Sequence, residues 1–175
     1  MSRYKRFCED WAVYHVMIRC NNRQMLLKKH VTKMLLLESF AKYQQRLNFK
    51  LYAFVIMDNH AHWLLQVQGV NGLSVLMQKV LLSFSRKYRQ DNSYVGHFWQ
   101  GRYRSQSVVS DLGMREVLKY VHENPVKAKI VGDARDYFYS SAYKYLGYSN
   151  EKIEELIKIT KYGDTSDGSC ALISV

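Results

Sequence analysis

The chain has 175 residues, 47% of them apolar, which suits one domain with a modest extension. No run of 18 or more apolar residues occurs, against a membrane span, and the three scattered cysteines (Cys8, Cys20, Cys170) contain no CxxC pair, against a disulfide framework or a cysteine zinc site. The net charge of +11 is lopsided: residues 1–104 hold 17 Lys and Arg against 5 Asp and Glu, a net +12, and residues 105–175 hold 9 against 10. A basic half of this kind attracts polyanions by releasing their counterions, and fourteen tyrosines offer faces on which single strands stack. The first ten residues carry positive charge with no apolar h-region behind them, so no secretory signal is expected and a reducing cytoplasm is the expected compartment.

In chain order, "WAVYHVMIRC" (Trp11 to Cys20) reads as a strand rich in β-branched and aromatic residues, and "NNRQ" as a turn. From Val31 to Leu47, Leu36, Phe40, Tyr43 and Leu47 fall at helical spacing. "KLYAFVIM" (Lys50 to Met57) is a second strand, Asp58 and Asn59 a tight turn, and His60 to Val67 a third strand completing a hairpin. Leu73, Leu76, Met77, Val80, Phe84 and Tyr88 mark a second amphipathic helix, followed by a loop containing Gly96. Arg102 to Val109 reads as a fourth strand. A helix capped by Ser110 or Asp111 buries Met114, Val117, Leu118 and Val121, and the single proline, Pro125, is expected to end it near Asn124. A short amphipathic helix is expected from Asn150 to about Tyr162, and "GDTSDGSCALISV" reads as a weakly ordered tail.

The order β-α-β-β-α-β followed by a further helix predicts an α+β fold of the ferredoxin-like, split βαβ type: one antiparallel sheet backed by helices. Residues 1–147 are expected to form the domain and residues 148–175 an extension. The aromatic run from Tyr137 to Tyr148 is expected to close a satellite core, since dense aromatics are mostly buried.

Candidate chemistry centres on "IMDNHAHWLLQ" (Ile56 to Gln66). Strand side chains alternate faces, so His60 and His62 point one way while Ala61, Trp63 and Leu65 point to a core. Two imidazoles so placed can share an ion; the plainer reading is two polar residues on a solvated strand face. No carboxylate or cysteine lies close enough in the strand to complete a site. The helix before Pro125 carries Glu116, Tyr120, Asn124 and, near its end, Lys127 along one face, and Asn124 could give an amide oxygen to a hard cation. An ordinary phenol is a poor nucleophile at neutral pH and needs basic neighbours or a metal-neutralised electrophile; Lys119, Lys127, Arg102 and Arg104 are candidate neighbours. These residues alone do not single out one tyrosine of fourteen. His15, His30, His97 and His122 read as structural or surface residues.

The blocks "HVMIRCNNRQ", "YAFVIMDNHAHWLL", "FWQGRYRSQSVV", "VLKYVHENPVKAKIV" and "SSAYKYLG", in that order, resemble the single-tyrosine HUH transposases of bacterial insertion sequences, and "YVHENPVKA" resembles their REP-associated tyrosine transposase branch. The resemblance spans Trp11 to Gly147. It implies cleavage and rejoining of single-stranded DNA, usually beside a hairpin, through a 5′-phosphotyrosine intermediate. It also implies a divalent ion, Mg²⁺ or Mn²⁺, held by His60, His62 and Asn124, with Tyr120 as nucleophile. Arg86, Trp99, Arg102, Arg104, Lys119 and Lys127 are the expected DNA contacts. Relatives include dimers and monomers, so a homodimer is one expected state; a membrane partner is not expected. Asp58 stands where relatives commonly have proline, and Glu123 where they often have leucine. The competing expectation is a non-catalytic single-strand-binding module recruited as a regulator, which the trio His60, His62 and Tyr120 argues against. A zinc deaminase would need a cysteine pair and an HxE motif, and neither occurs.

Overall fold

The computed structural model describes residues 11–69 and 71–163. Four strands form one antiparallel sheet in the order β2-β3-β1-β4: β1 Val13–Arg19, β2 Phe49–Ile56, β3 His60–Val67 and β4 Arg104–Val108. Among the described residues five α-helices accompany it: α1 His30–Gln44, α2 Gly72–Asn92, α3 Asp111–Lys127, α4 Ala142–Leu146 and α5 Glu151–Leu156. The split βαβ arrangement expected from the order of elements is therefore present.

Period-two alternation explains why the sheet is clad on both sides. Tyr14, Val16 and Ile18 of β1 and Ala61, Trp63 and Leu65 of β3 face the larger core, which α1 closes with Leu36, Leu37 and Phe40 and α2 with Leu73, Leu76, Met77, Val80 and Phe84. Trp63 is its centre: fully buried, stacked 3.6 Å from Phe40 and 5.4 Å from Phe54 between ring centroids. Truncating such a ring to alanine costs roughly 3–5 kcal/mol. The second face buries Val13, Ala53, Val55, Leu64 and Val108 against Met114, Leu118 and Val121 of α3. Between Leu51 and Ala53 the β2–β3 register slips by one residue, a bulge that sends Tyr52 and Ala53 to the same side.

The outer edge of β2 is covered by the chain that follows α3. Ile56 N–H donates to the Tyr139 carbonyl, Ser141 N–H to that of Phe54, and the hydroxyls of Tyr137 and Tyr145 to those of Ile56 and Tyr52. An exposed edge would template pairing with other chains, and this aromatic segment caps it. Tyr137 and Tyr143 are buried, as expected of that run, whereas Phe138 and Tyr148 are exposed. Ile153, Ile157 and Ile159 join the larger core, and Thr160 N–H donates to the Leu51 carbonyl.

Two expectations are corrected. α3 does not stop at Asn124 but continues to Lys127 with Pro125 inside it. A proline removes one helical donor. Here Pro125 lies in the last turn with its ring buried, and Ala128 N–H still reaches the Asn124 carbonyl and Ile130 N–H that of Pro125. The helix expected from Asn150 to about Tyr162 spans only Glu151–Leu156, because Ile157 turns extended to run back to β2. α4 was not anticipated. The expected weakly ordered tail falls, beyond Gly163, outside the described residues.

His122 belongs to this scaffold. It is buried, its Nε2 lies 2.9 Å from Ser141 Oγ, and burial pushes its pKa down to about 4. The unfolded chain takes up that proton near pH 6.5 and the folded chain does not, so the stabilisation is complete above pH 6.5 and is lost as pH falls toward 4. By pH 5 the loss from this group amounts to roughly 2 kcal/mol. Denaturant unfolding of His122→Asn at pH 7 and pH 5 should show a smaller loss of stability between the two than wild type does; an unchanged difference would remove His122 from that role.

Candidate active site

The site forms where the second sheet face emerges from under α3. His60 opens β3 directly after the Asp58–Asn59 turn, and His62 follows on the same face. Cross-strand register sets their neighbours: Arg19 stands opposite His60, and Met17 opposite His62 and Arg104. His15, one pair further along β1, reaches diagonally so that its Nε2 lies 2.9 Å from His62 Nδ1. The His60 and His62 rings are 5.2 Å apart between centroids and almost perpendicular.

α3 brings the phenol. Its apolar stripe lies on the sheet, and Tyr120 sits on the flank of that stripe rather than at its back, 41% exposed. Its ring stands edge-on to His62 at 5.4 Å and to His15 at 5.7 Å between centroids. One turn on, Asn124 Nδ2 donates to the Tyr120 carbonyl at 2.7 Å, and Lys127 Nζ lies 5.4 Å from the Tyr120 ring centroid. Ser110 caps the helix by accepting from Gly113 N–H. A Cβ on Gly113 would come within 3.3 Å of Ser110 Oγ and Val108, so a glycine lets the first turn approach the end of β4.

His62 is only 5% exposed, so the face it occupies is not solvated. Burial first, then the charges of His15, His60 and Arg19, drives its pKa down to about 3. Burial, with Arg19 second, lowers His60, and burial lowers His15. All three are neutral imidazoles at pH 7, the form that offers a lone pair. Asn59 Nδ2 donates to the Arg23 carbonyl, which fixes its amide, and its Oδ1 lies 2.6 Å from His60 Nδ1. His60 Nδ1 therefore carries the proton and Nε2 the lone pair. The Nδ1 of His62 is likewise engaged, by His15. With both Nδ1 atoms engaged, the Nε2 atoms of His60 and His62 are the positions left for a ligand, and two imidazoles with an amide are donors of the kind that a divalent cation keeping several waters accepts. Among the described residues no group of three or more His, Cys, Asp or Glu is arranged to hold a metal. An ion here would take its third protein donor from an amide such as that of Asn124.

The remaining sequence candidates divide by layer. Arg104 lies on the site face and is exposed, with Arg102 exposed just before the strand. Lys119 and Lys127 are exposed but both pair with Glu123, at 3.7 Å and 3.2 Å. Arg86 is exposed on α2, in the layer across the sheet. Trp99, half-buried, donates its indole N–H to Ser85 of α2 and lines a cavity of about 420 Å³ with Asn21, Arg89 and His97. Two features escape the sequence reading. One is His15. The other is Lys33 of α1, buried and 2.5 Å from Asp58 Oδ1, which ties down the turn that launches the histidine strand.

No curated protein matches the chain. Among solved structures, that of a REP-associated tyrosine transposase bound to a REP hairpin superposes with a TM-score of 0.73 at 21% identity, over 97% of this chain and 96% of that one. At that identity the likeness is one of fold. A putative transposase from Deinococcus radiodurans aligns with a TM-score of 0.48 at 16% identity, over 70% of this chain and 97% of the other. The family model described as "Transposase IS200 like" matches residues 10–124. The chain belongs to the IS200-like transposase family.

Proposed function

We propose that the protein is a single-tyrosine transposase of the REP-associated branch that cuts and rejoins single-stranded DNA beside a hairpin, with Tyr120 as nucleophile. One observation carries the reading: on a single chain, the Tyr120 ring stands edge-on to His62 at 5.4 Å, with Asn124 one turn further along the same helix. The fold shared with a REP-associated tyrosine transposase bound to a REP hairpin supports hairpin DNA as the substrate.

Tyr120 Oη forms a bond to the scissile phosphorus and the bond from phosphorus to O3′ breaks. The phenolic proton leaves to solvent, the departing O3′ takes one up, and the 5′ end remains on the enzyme as a phosphotyrosine. One phosphodiester is exchanged for another, so the free 3′-OH of a second strand can reverse the step without an energy source. Lys127 beside the ring favours the negative charge that develops on the phenolic oxygen. Arg19 and Arg104 share the histidine face and hold the flanking phosphates. A divalent cation, Mg²⁺ or Mn²⁺, bound by His60, His62 and Asn124 would polarise the scissile phosphate. Because nucleophile and histidines belong to one chain, a single protomer suffices.

Incubated with labelled hairpin DNA carrying a single-stranded flank and Mn²⁺, the protein should form an SDS-resistant adduct. Tyr120→Phe should form none, and His60→Ala or His62→Ala should slow it roughly 100-fold, the loss of a few kcal/mol of charge stabilisation. Mixing Tyr120→Phe with His62→Ala should restore nothing; restored adduct would mean a site shared between chains. A wild type that binds this DNA and never cuts it would make the protein a binding module. Separately, Glu123→Gln frees Lys119 and Lys127. DNA binding at low salt should tighten by about 1 kcal/mol, roughly fivefold, with a steeper salt slope. Unchanged affinity would put both lysines outside the DNA path.

A further inference from the structure

The imidazole of His15 is not explained by packing. It is half-buried on β1, on the sheet face shared with His62, and a leucine there would be of similar size. What a leucine lacks is the ring nitrogen aimed at His62 at 2.9 Å. The two rings lie within 18° of parallel with centroids 5.1 Å apart. That separation is what a contact between ring nitrogens gives when two nearly coplanar rings meet edge to edge, so an N–H and a lone pair point along the same line.

A bond between two imidazole nitrogens has one donor and one acceptor, and which ring donates decides what His62 can do outside the protein. If His15 donates, the proton of neutral His62 sits on Nε2 and no lone pair faces outward. If His62 donates from Nδ1, its Nε2 keeps the lone pair. His60 already shows the second arrangement: its Nδ1 must donate to Asn59 Oδ1, since the Asn59 amide nitrogen is committed to the Arg23 carbonyl.

We propose that His15 is a positioning residue that accepts a hydrogen bond at Nε2 from His62 Nδ1, holding His62 in the tautomer that presents Nε2, as Asn59 does for His60. The proposal rests on the reading of His60 and His62 as cation ligands. Outer partners of this kind fix the tautomer and orientation of a ligand histidine and raise its basicity. The usual partner is a carboxylate or carbonyl; here the neighbouring strand supplies a second imidazole. The pairing of β1 with β3 thereby contributes to the site as well as to the fold.

The tautomer is readable without metal or DNA, from long-range ¹H–¹⁵N correlation of the imidazoles in the full-length protein. In wild type, His62 should show its proton on Nδ1. In His15→Leu an Nε2–H form of His62 should appear, and Mn²⁺ affinity by calorimetry should fall roughly 10- to 100-fold. His15→Gln, whose amide oxygen can accept, should keep the Nδ1–H form and near wild-type Mn²⁺ affinity. A role in packing alone would leave tautomer and affinity unmoved in His15→Leu, and that result overturns the proposal. So does a wild-type His62 protonated on Nε2, which decides the question even if the leucine variant fails to fold. A wild type that binds no Mn²⁺ overturns the cation reading of the previous subsection, while the tautomer spectra still decide the role of His15.

Discussion

The packing of α3 against the second face of the sheet is the contact on which the rest depends. Met114, Leu118 and Val121 are buried there with Val55 and Leu64. An α-helix turns about 100° per residue, so anchoring Leu118 and Val121 leaves Tyr120 on the flank, over the end of β3 where His60 and His62 emerge. Burying side chains of this size contributes roughly 1.5–3 kcal/mol each. The phenol is thus held by the hydrophobic effect acting on its neighbours. His122, bonded to Ser141, ties the same helix to the segment that caps β2.

The histidines need the opposite treatment. Burial keeps them neutral and the strand register brings three of them together, but each buried ring must place its N–H. Asn59 and His15 take up that task. The turn that sets His60 in place is itself anchored from below by Lys33 and Asp58. Asp58 stiffens the turn through an ion pair with a buried lysine, whose ammonium also lies 4.8 Å from the centre of the Tyr139 ring. Charge on α3 is similarly balanced within the chain. Glu123 pairs with the two lysines that flank the phenol, so the positive field around Tyr120 is weaker than the lysines alone would make it.

The central strands were legible because they are short runs rich in apolar, β-branched and aromatic residues bounded by turns. β3 runs from His60 to Val67, as the pattern of apolar residues predicts, and the apolar stripe of α3 is buried as its spacing predicts, save Val117, which is only partly covered. Pro125 misled because a proline's local preference yields to burial when it costs one hydrogen bond in a final turn. His15 was unreadable as a partner because its role is diagonal: it appears only once β1 is laid beside β3 in a particular register. A signal did exist, since Tyr14, Val16 and Ile18 form one face of β1 and leave His15 and Arg19 on the other, the side shared with His60 and His62. Nothing in α1 marked Lys33 as buried, because its partner, Asp58, lies 25 residues further along the chain. The lining of the β2 edge by Tyr137 to Tyr145 was equally hidden, since it uses backbone carbonyls that carry no residue signature.

The central claim is that one tyrosine, held by α3 over paired imidazoles, takes the DNA phosphate. Its most direct test is to digest the covalent adduct with trypsin and nuclease and locate the residual nucleotide by mass spectrometry. The account predicts a nucleotide on Tyr120, in the peptide running from there to Lys127. A nucleotide on any of the other thirteen tyrosines, with Tyr120 unmodified, would contradict it.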